Sequence, residues 1–177
     1  MKVSAFDFEL PRELIAQAPV RPRDAARLLH IDTELRDLAV TDLPKLFTAG
    51  DMLIFNDTKV IPSRLTGKRL TARIEVTLHK QVSESTWWAF TRPGRRLKMG
   101  DTIEFSSTFS AQVMEKTEDG NTLLSFEGEE TDVISALAKY GLMPLPPYIT
   151  RQQQDDRDLL RYQTVYADEV GAVAAPT

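Results

Sequence analysis

The sequence predicts an α/β plus β fold, in which an α/β part is accompanied by a small antiparallel β-barrel. Two observations lead there. From about Ser63 to Phe126, short apolar runs alternate with polar residues and are separated by turn signals, with little room for helix. Upstream, Gly50 to Arg64 reads Gly-Asp-Met-Leu-Ile-Phe-Asn-Asp-Thr-Lys-Val-Ile-Pro-Ser-Arg. Its apolar run Met52 to Phe55 has the length of a buried strand and stops on Asn56, Asp57, Thr58 and Lys59. Polar residues at the carboxyl end of a strand are where open α/β sheets bind ligands. An ordinary Asn-Asp turn between two strands would present the same four side chains.

In chain order, Phe6 to Pro11 leads into a short helix over Arg12 to Gln17, with Pro11 near its first turn. A polar, Pro-rich loop runs from Pro19 through Asp24. Arg27 to Ile31 reads as a strand, Asp32-Thr33-Glu34 as a turn and Leu38 to Val40 as the end of a returning strand. Thr41 or Asp42 caps a brief helix through Leu46 and Phe47. In the β region, Ile74, Val76 and Leu78 alternate with Glu75, Thr77 and His79, and Trp87 to Thr91 follows. Thr102 to Phe105, Phe109 to Met114 and Thr122 to Phe126 complete the set, the last two joined across the hairpin signal Asp119-Gly120. Closing these strands into a barrel removes the exposed edges of a meander. Thr131 is then expected to cap a helix whose apolar face is Val133, Ile134, Leu137 and Ala138, with Gly141 as its C′ residue. Met143 to Ile149 is held extended by three prolines, as a linker, a partner-binding segment or the return of the chain to the first domain. The charged stretch Arg151 to Asp158 leads into a short helix ending near Tyr162.

At 177 residues the chain can form one sizeable domain or two small ones. No apolar run approaches the roughly 20 residues of a membrane span, and the first residues lack a signal-peptide core. With no cysteine there is no disulfide framework, thiolate nucleophile or cysteine-ligated cluster. His30 and His79 stand far apart, so no metal site is expected and a cytoplasmic location is. The net charge of −4 hides an asymmetry. Lys59 to Gly100 holds ten basic and two acidic residues, a net of +8, leaving 12 basic and 24 acidic residues, or −12, elsewhere. Such a split points to an anion-binding surface on an acidic body, or to a solvated strand surface with scattered cations.

Several segments, taken in order and spacing, carry a more specific signal. They are Phe6 to Pro11, Glu13 to Gln17, Arg23-Asp24 with Arg27-Leu28-Leu29, and Gly50 to Arg64. Pro144 to Ile149, Arg161-Tyr162-Gln163-Thr164-Val165-Tyr166-Ala167 and Gly171 to Thr177 complete them. Together they resemble the S-adenosylmethionine:tRNA ribosyltransferase-isomerase family of queuosine biosynthesis, over the whole chain and least between about Gly67 and Asp132.

The resemblance implies a larger α/β domain interrupted by a small β-barrel. Residues 1–62 and 143–177 would give the first, incomplete part of the discontinuous α/β domain, and residues 63–142 the inserted barrel with a terminal helix. It implies a bacterial cytoplasmic enzyme, monomeric at full length, with no membrane association and no prosthetic group. S-adenosylmethionine would be its ribosyl donor. The ribosyl group would be transferred and isomerised onto 7-aminomethyl-7-deazaguanine at the tRNA wobble position, giving epoxyqueuosine and releasing adenine and methionine. Two departures stand out. Leu142 occupies a position where the family commonly has histidine, and family members continue well past the motif that closes this chain. The sequence therefore looks like an N-terminal half, expected to be inactive alone.

Such a reaction sets physical demands. The sulfonium acidifies the C5′ hydrogens, so a base there forms an ylide that expels adenine, and the attacking amine must be neutral. Asp57 is the first candidate base, with Asn56 and Thr58 as hydrogen-bonding neighbours. Tyr162, Gln163, Thr164 and Tyr166 are candidates for substrate stacking and polar contacts, although tyrosines four apart also suit core packing. Gly171 to Thr177 permits close backbone approach to a ligand, or is an unstructured terminus. Arg92, Arg95, Arg96 and Lys98 surround a Pro-Gly turn and are the candidate tRNA phosphate contacts. No Gly-x-Gly-x-x-Gly follows a strand, which counts against a Rossmann methyltransferase. Two other readings remain: a non-catalytic RNA-binding barrel module, and a structural fragment that associates with a second half.

Overall fold

The structure is a computed structural model and describes residues 1–129, 132–149 and 157–174. The chain divides into two compact units, Met1–Ile54 with Pro146–Gln153, and Phe55–Leu145 with Gln154–Thr177.

The first unit is built from short pieces. 3₁₀ turns at Val3–Phe6, Arg12–Leu14 and Arg23–Ala25 precede strands β1 (Arg27–Ile31) and β2 (Leu35–Ala39). These pair antiparallel from Arg27 opposite Ala39 to Ile31 opposite Leu35. A 3₁₀ helix, Val40–Lys45, follows, and the Asp42 carboxylate at its third position accepts from Ala39 N at 3.0 Å. Gln17 Nε2 donates to Tyr148 O at 3.0 Å, tying the N-terminal segment to the Pro-rich one. The predicted helix over Arg12 to Gln17 is only the 3₁₀ turn Arg12–Leu14, because Ile15 is already extended. So short a segment cannot offset the nucleation cost of an α-helix.

Met52 to Phe55 is not a strand. Its backbone forms no ladder with any described residue, and Met52 is 85% and Ile54 88% exposed. Its apolar pattern is that of a buried strand, yet a strand needs a neighbour to receive its backbone groups. None of the described residues of this first unit is buried.

The second unit opens on β3 (Thr58–Val60) and contains the barrel. Its strands are β4 (Arg64–Arg69), β5 (Ala72–Gln81), β6 (Thr86–Arg92), β7 (Thr102–Ser106), β8 (Phe109–Lys116) and β9 (Asn121–Gly128). They close in the order β4-β5-β6-β9-β8-β7 with every pair antiparallel. The predicted alternation is visible in burial. Ile74, Val76 and Leu78 of β5, Trp87 and Ala89 of β6, and Leu124 and Phe126 of β9 fill the interior. Inside, Thr91 and Thr122 share a 3.1 Å hydrogen bond. The barrel shuts where β4 meets β7, at Lys68 opposite Glu104. Gly67 makes that approach possible, since a Cβ there would lie 2.7 Å from Glu104 O and 2.8 Å from Ile103 Cγ2.

Helix α1 (Val133–Tyr140) covers one end of the barrel core through Val133, Ala136 and Leu137. Its cap is Asp132, whose Oδ1 accepts from Ser135 N at 2.9 Å, and Thr131 lies outside the described residues. Gly141 follows it but is not left-handed, with φ −80°. Its need for glycine is spatial, because a Cβ there would collide with Pro62 O and Leu137 O. Leu142 then bridges back to Arg64 through paired backbone bonds of 2.7 and 3.1 Å. Helix α2 (Asp158–Arg161) ends at Tyr162 as expected, and β10 (Glu169–Ala172) pairs parallel with β3. Among the described residues, the second unit is thus a closed six-stranded antiparallel barrel with a short parallel pair and few helices, and the first unit carries the antiparallel β1–β2 pair.

Candidate functional site

Two clusters collect the predicted site residues, both within the second unit. The first lies around the β3–β10 pair. Asn56 Oδ1 accepts from Thr58 N at 2.8 Å, closing an Asx turn that starts β3. Asp57 O accepts from Asp168 N at 2.7 Å and Glu169 N at 3.2 Å, so the main chain on either side is anchored to β10. The Asp57 side chain is left in solvent with no hydrogen bond or ion pair to the described residues. These polar residues therefore stand at the amino end of β3, not the carboxyl end of a strand over Met52 to Phe55. The strand-end argument from the sequence does not apply to them.

Gln163 joins this cluster by a long-range clamp. Its Oε1 accepts from Val60 N and its Nε2 donates to Val60 O, both at 2.8 Å, replacing a strand neighbour at that edge. Thr164 Oγ1 accepts from Tyr166 N at 3.3 Å, and the Tyr166 ring packs on Phe55 with centroids 4.4 Å apart. Both rings of this pair are about half exposed. Tyr162 is half-buried at the end of α2. In the sequence Phe55 closes the apolar run of an expected buried strand, and its packing on Tyr166, more than a hundred positions away, is what makes it part of the site. The cluster offers an aromatic face, a free carboxylate and an Asx turn in one stretch of backbone.

The second cluster is the turn after β6. Leu97, 2% exposed, plugs it into the barrel core, and Lys116 Nζ donates to Gly94 O and Leu97 O at 2.8 Å each. Asp101 Oδ2 accepts from Lys98 N and pairs with Arg69 Nε, both at 2.6 Å. With its backbone fixed, the turn leaves Arg92, Arg95, Arg96 and Lys98 exposed. The fixed backbone lowers the entropy cost of presenting these cations to a polyanion.

The Arg69 guanidinium, followed by the Lys98 backbone N–H, holds the Asp101 carboxyl below its ordinary value. A carboxylate with a depressed folded-state pKa stabilises the fold above the unfolded value, near 3.9, and loses that contribution as pH falls through the folded value. Asp101→Asn is expected to lower the melting temperature at pH 7 and to shrink the gap from the native protein under strong acid. A melting-temperature series from neutral to acid pH measures this; a gap independent of pH would contradict it.

No helix of the described residues is long and apolar enough to cross a membrane. Among them no group of three or more histidine, aspartate or glutamate side chains is placed to hold a metal ion.

The family model described as "Queuosine biosynthesis protein" matches residues 3–177. The S-adenosylmethionine:tRNA ribosyltransferase-isomerase of Rhodospirillum rubrum is 52% identical over 178 residues, covering all of this chain and 51% of that protein. That of Parvibaculum lavamentivorans is 52% identical over 185 residues, covering all of this chain and 53% of that protein. A crystal structure of S-adenosylmethionine tRNA ribosyltransferase from Thermotoga maritima is 40% identical, covering 68% of this chain and 44% of that one at a TM-score of 0.36. The chain spans about half the length of the curated relatives it matches. From the match over nearly every residue, the chain belongs to the queuosine biosynthesis protein family.

Proposed function

We propose that this chain supplies one part of an S-adenosylmethionine:tRNA ribosyltransferase-isomerase, and that it is inactive without the remainder. The observation that carries this reading is the identity of about one residue in two, across the whole chain, to relatives bearing that name. In the complete enzyme, residues 1–62 and 143–177 belong to a discontinuous α/β domain and residues 63–142 form the inserted barrel. The substrates are S-adenosylmethionine as ribosyl donor and a tRNA carrying 7-aminomethyl-7-deazaguanine. The products are epoxyqueuosine-tRNA, adenine and methionine. The enzyme works as a cytoplasmic monomer without a prosthetic group.

The residues present divide the work. The exposed Asp57 carboxylate takes a C5′ proton made acidic by the sulfonium, and adenine departs from the resulting ylide. Phe55 and Tyr166, packed together with their rings tilted by 39°, offer half-exposed aromatic surface to a heterocycle, and the Asx turn of Asn56 with Thr58 sets the backbone beside it. Thr164 accepts from Tyr166 N beside that surface, Gln163 holds the β3 edge in place, and Tyr162, next to it in the chain, adds a further polar contact to the substrate. Arg92, Arg95, Arg96 and Lys98 contact tRNA phosphates. A second reading, a non-catalytic RNA-binding module, is favoured by the closed barrel having its own core and its own basic turn.

Adenine release separates the two. With S-adenosylmethionine and precursor tRNA, this chain alone is expected to release none. The same chain fused to the remaining part of the Rhodospirillum rubrum relative is expected to release it in step with ribosyl transfer. A fusion that folds and binds tRNA but releases no adenine would favour the module.

A further inference from the structure

We propose that the outer wall of the barrel around Phe90 is a stacking platform for an unpaired base of single-stranded RNA, an inference that rests on the tRNA reading above. On β6 the inward positions are Trp87 and Ala89, so Thr86, Trp88, Phe90 and Arg92 face outward. An outward position on a half-buried strand is ordinarily polar, yet Phe90 leaves 54% of its surface exposed. By register Phe90 stands between Thr77 of β5 and Asn121 of β9.

Its ring is not free to turn away. His79 stacks on it with centroids 4.5 Å apart and 26° between planes. His79 Nε2 lies 3.0 Å from Asn121 Oδ1, and Asn121 Nδ2 donates to Asp119 Oδ2 at 2.8 Å. The amide nitrogen being the donor to Asp119, its oxygen is the acceptor, so His79 Nε2 carries the hydrogen. Asp119 in turn accepts from Thr117 Oγ1. A chain of hydrogen bonds from the β8–β9 hairpin thus fixes the histidine, and the histidine backs one face of Phe90.

A buttressed, solvent-facing ring suits a ligand with a large flat face. Outward and exposed positions of β5 and β6 carry Arg73, Lys80 and Arg92 against Glu75, which suits a polyanion, while the Asp119 carboxylate on the β9 side is engaged by Thr117 and Asn121. Arg92 also leads directly into the basic turn at Arg95, Arg96 and Lys98. A strand whose phosphates follow those cations brings its bases onto the wall where Phe90 stands. Aromatic stacking with flanking cations is how proteins hold unpaired bases without reading their sequence.

The test measures binding of this chain to a short single-stranded oligouridine and to a blunt RNA duplex, across a salt series. Phe90→Ala is expected to weaken single-strand binding about 5- to 100-fold, to leave duplex binding and the salt slope unchanged, and to be rescued by Phe90→Trp. Arg95→Glu with Arg96→Glu is expected to weaken both ligands and flatten the salt slope. Far-UV spectra and melting temperatures show that the variants fold. If the native chain binds no RNA, the tRNA reading fails and the platform with it. If it binds RNA and Phe90→Ala changes nothing, the platform alone is overturned. Unchanged RNA binding with weaker association of the relative's remaining half would assign this wall to a protein contact, which also overturns it.

Discussion

Gly141→Ala is expected to destabilise the barrel-bearing unit by about 3 kcal/mol, the upper end of what overpacking costs. The added Cβ would lie 2.5 Å from Leu137 O and closer still to Pro62 O. Neither oxygen can easily retreat. Gly141 N is bonded to Leu137 O at 2.8 Å, and Leu142 N is bonded to Arg64 O at 2.7 Å, so the chain is pinned on both sides of the glycine. Relieving the clash means lifting α1 from the barrel end or breaking the Arg64–Leu142 bridge. Urea unfolding should show a midpoint lowered by about 1–3 M at the slopes usual for small proteins. A midpoint within about 0.3 M of the native one would mean that this segment yields, and that α1 is not a fixed lid on the core.

Asp57→Asn is expected to cut the turnover of the completed enzyme by about 10²- to 10⁴-fold, the usual contribution of a positioned base. The amide keeps the shape of the carboxylate and loses its basicity. The anchoring of this segment runs through the main chain, from Asp168 N and Glu169 N to Asp57 O, and the carboxylate itself bonds to no described residue. The melting temperature should therefore stay put while turnover falls. Exchange of the donor's C5′ hydrogens with deuterium oxide gives a second readout, because only a base at that carbon promotes it. Undiminished turnover and exchange would remove Asp57 from the base role.

The barrel was legible in the sequence because its signal is local. Ile74, Val76 and Leu78 announce their facing by alternation alone, and the Asp119-Gly120 turn fixes where β8 ends and β9 begins. Features that depend on distant partners were read less well. Met52 to Phe55 has the composition of a buried strand, but composition says nothing about whether a neighbour is present to pair with it. The sequence places Gly141 as the C′ residue of α1, but the need for glycine there is set by the nearness of Pro62 O, from a residue 79 positions earlier.

The site divides in the same way. Asn56, Asp57 and Thr58 could be picked out as a polar break after an apolar run. Their neighbours Gln163 and Tyr166 came into view only through the family resemblance, and nothing local showed that Gln163 would grip Val60. The basic turn was visible as charge, whereas its rigidity rests on Leu97, Asp101 and Lys116, of which only Leu97 lies between the cations. In the sequence Phe90 is one residue of the strand Trp87 to Thr91. Its exposure follows from the inward facing of Trp87 and Ala89, a signal that the alternation of β6 already contained.

The central claim is that, among the described residues, the buried core lies in the barrel-bearing second unit, and the apolar residues of the first unit are all at least partly exposed. Amide hydrogen exchange on the chain alone tests it most directly, because protection reports local opening free energy. The account predicts slow exchange across β4 to β9 and fast exchange through β1, β2 and Met52 to Phe55, slowing once the remaining part of a relative is added. Protection of Arg27 to Phe55 equal to that of the barrel strands, in the chain alone, would contradict it.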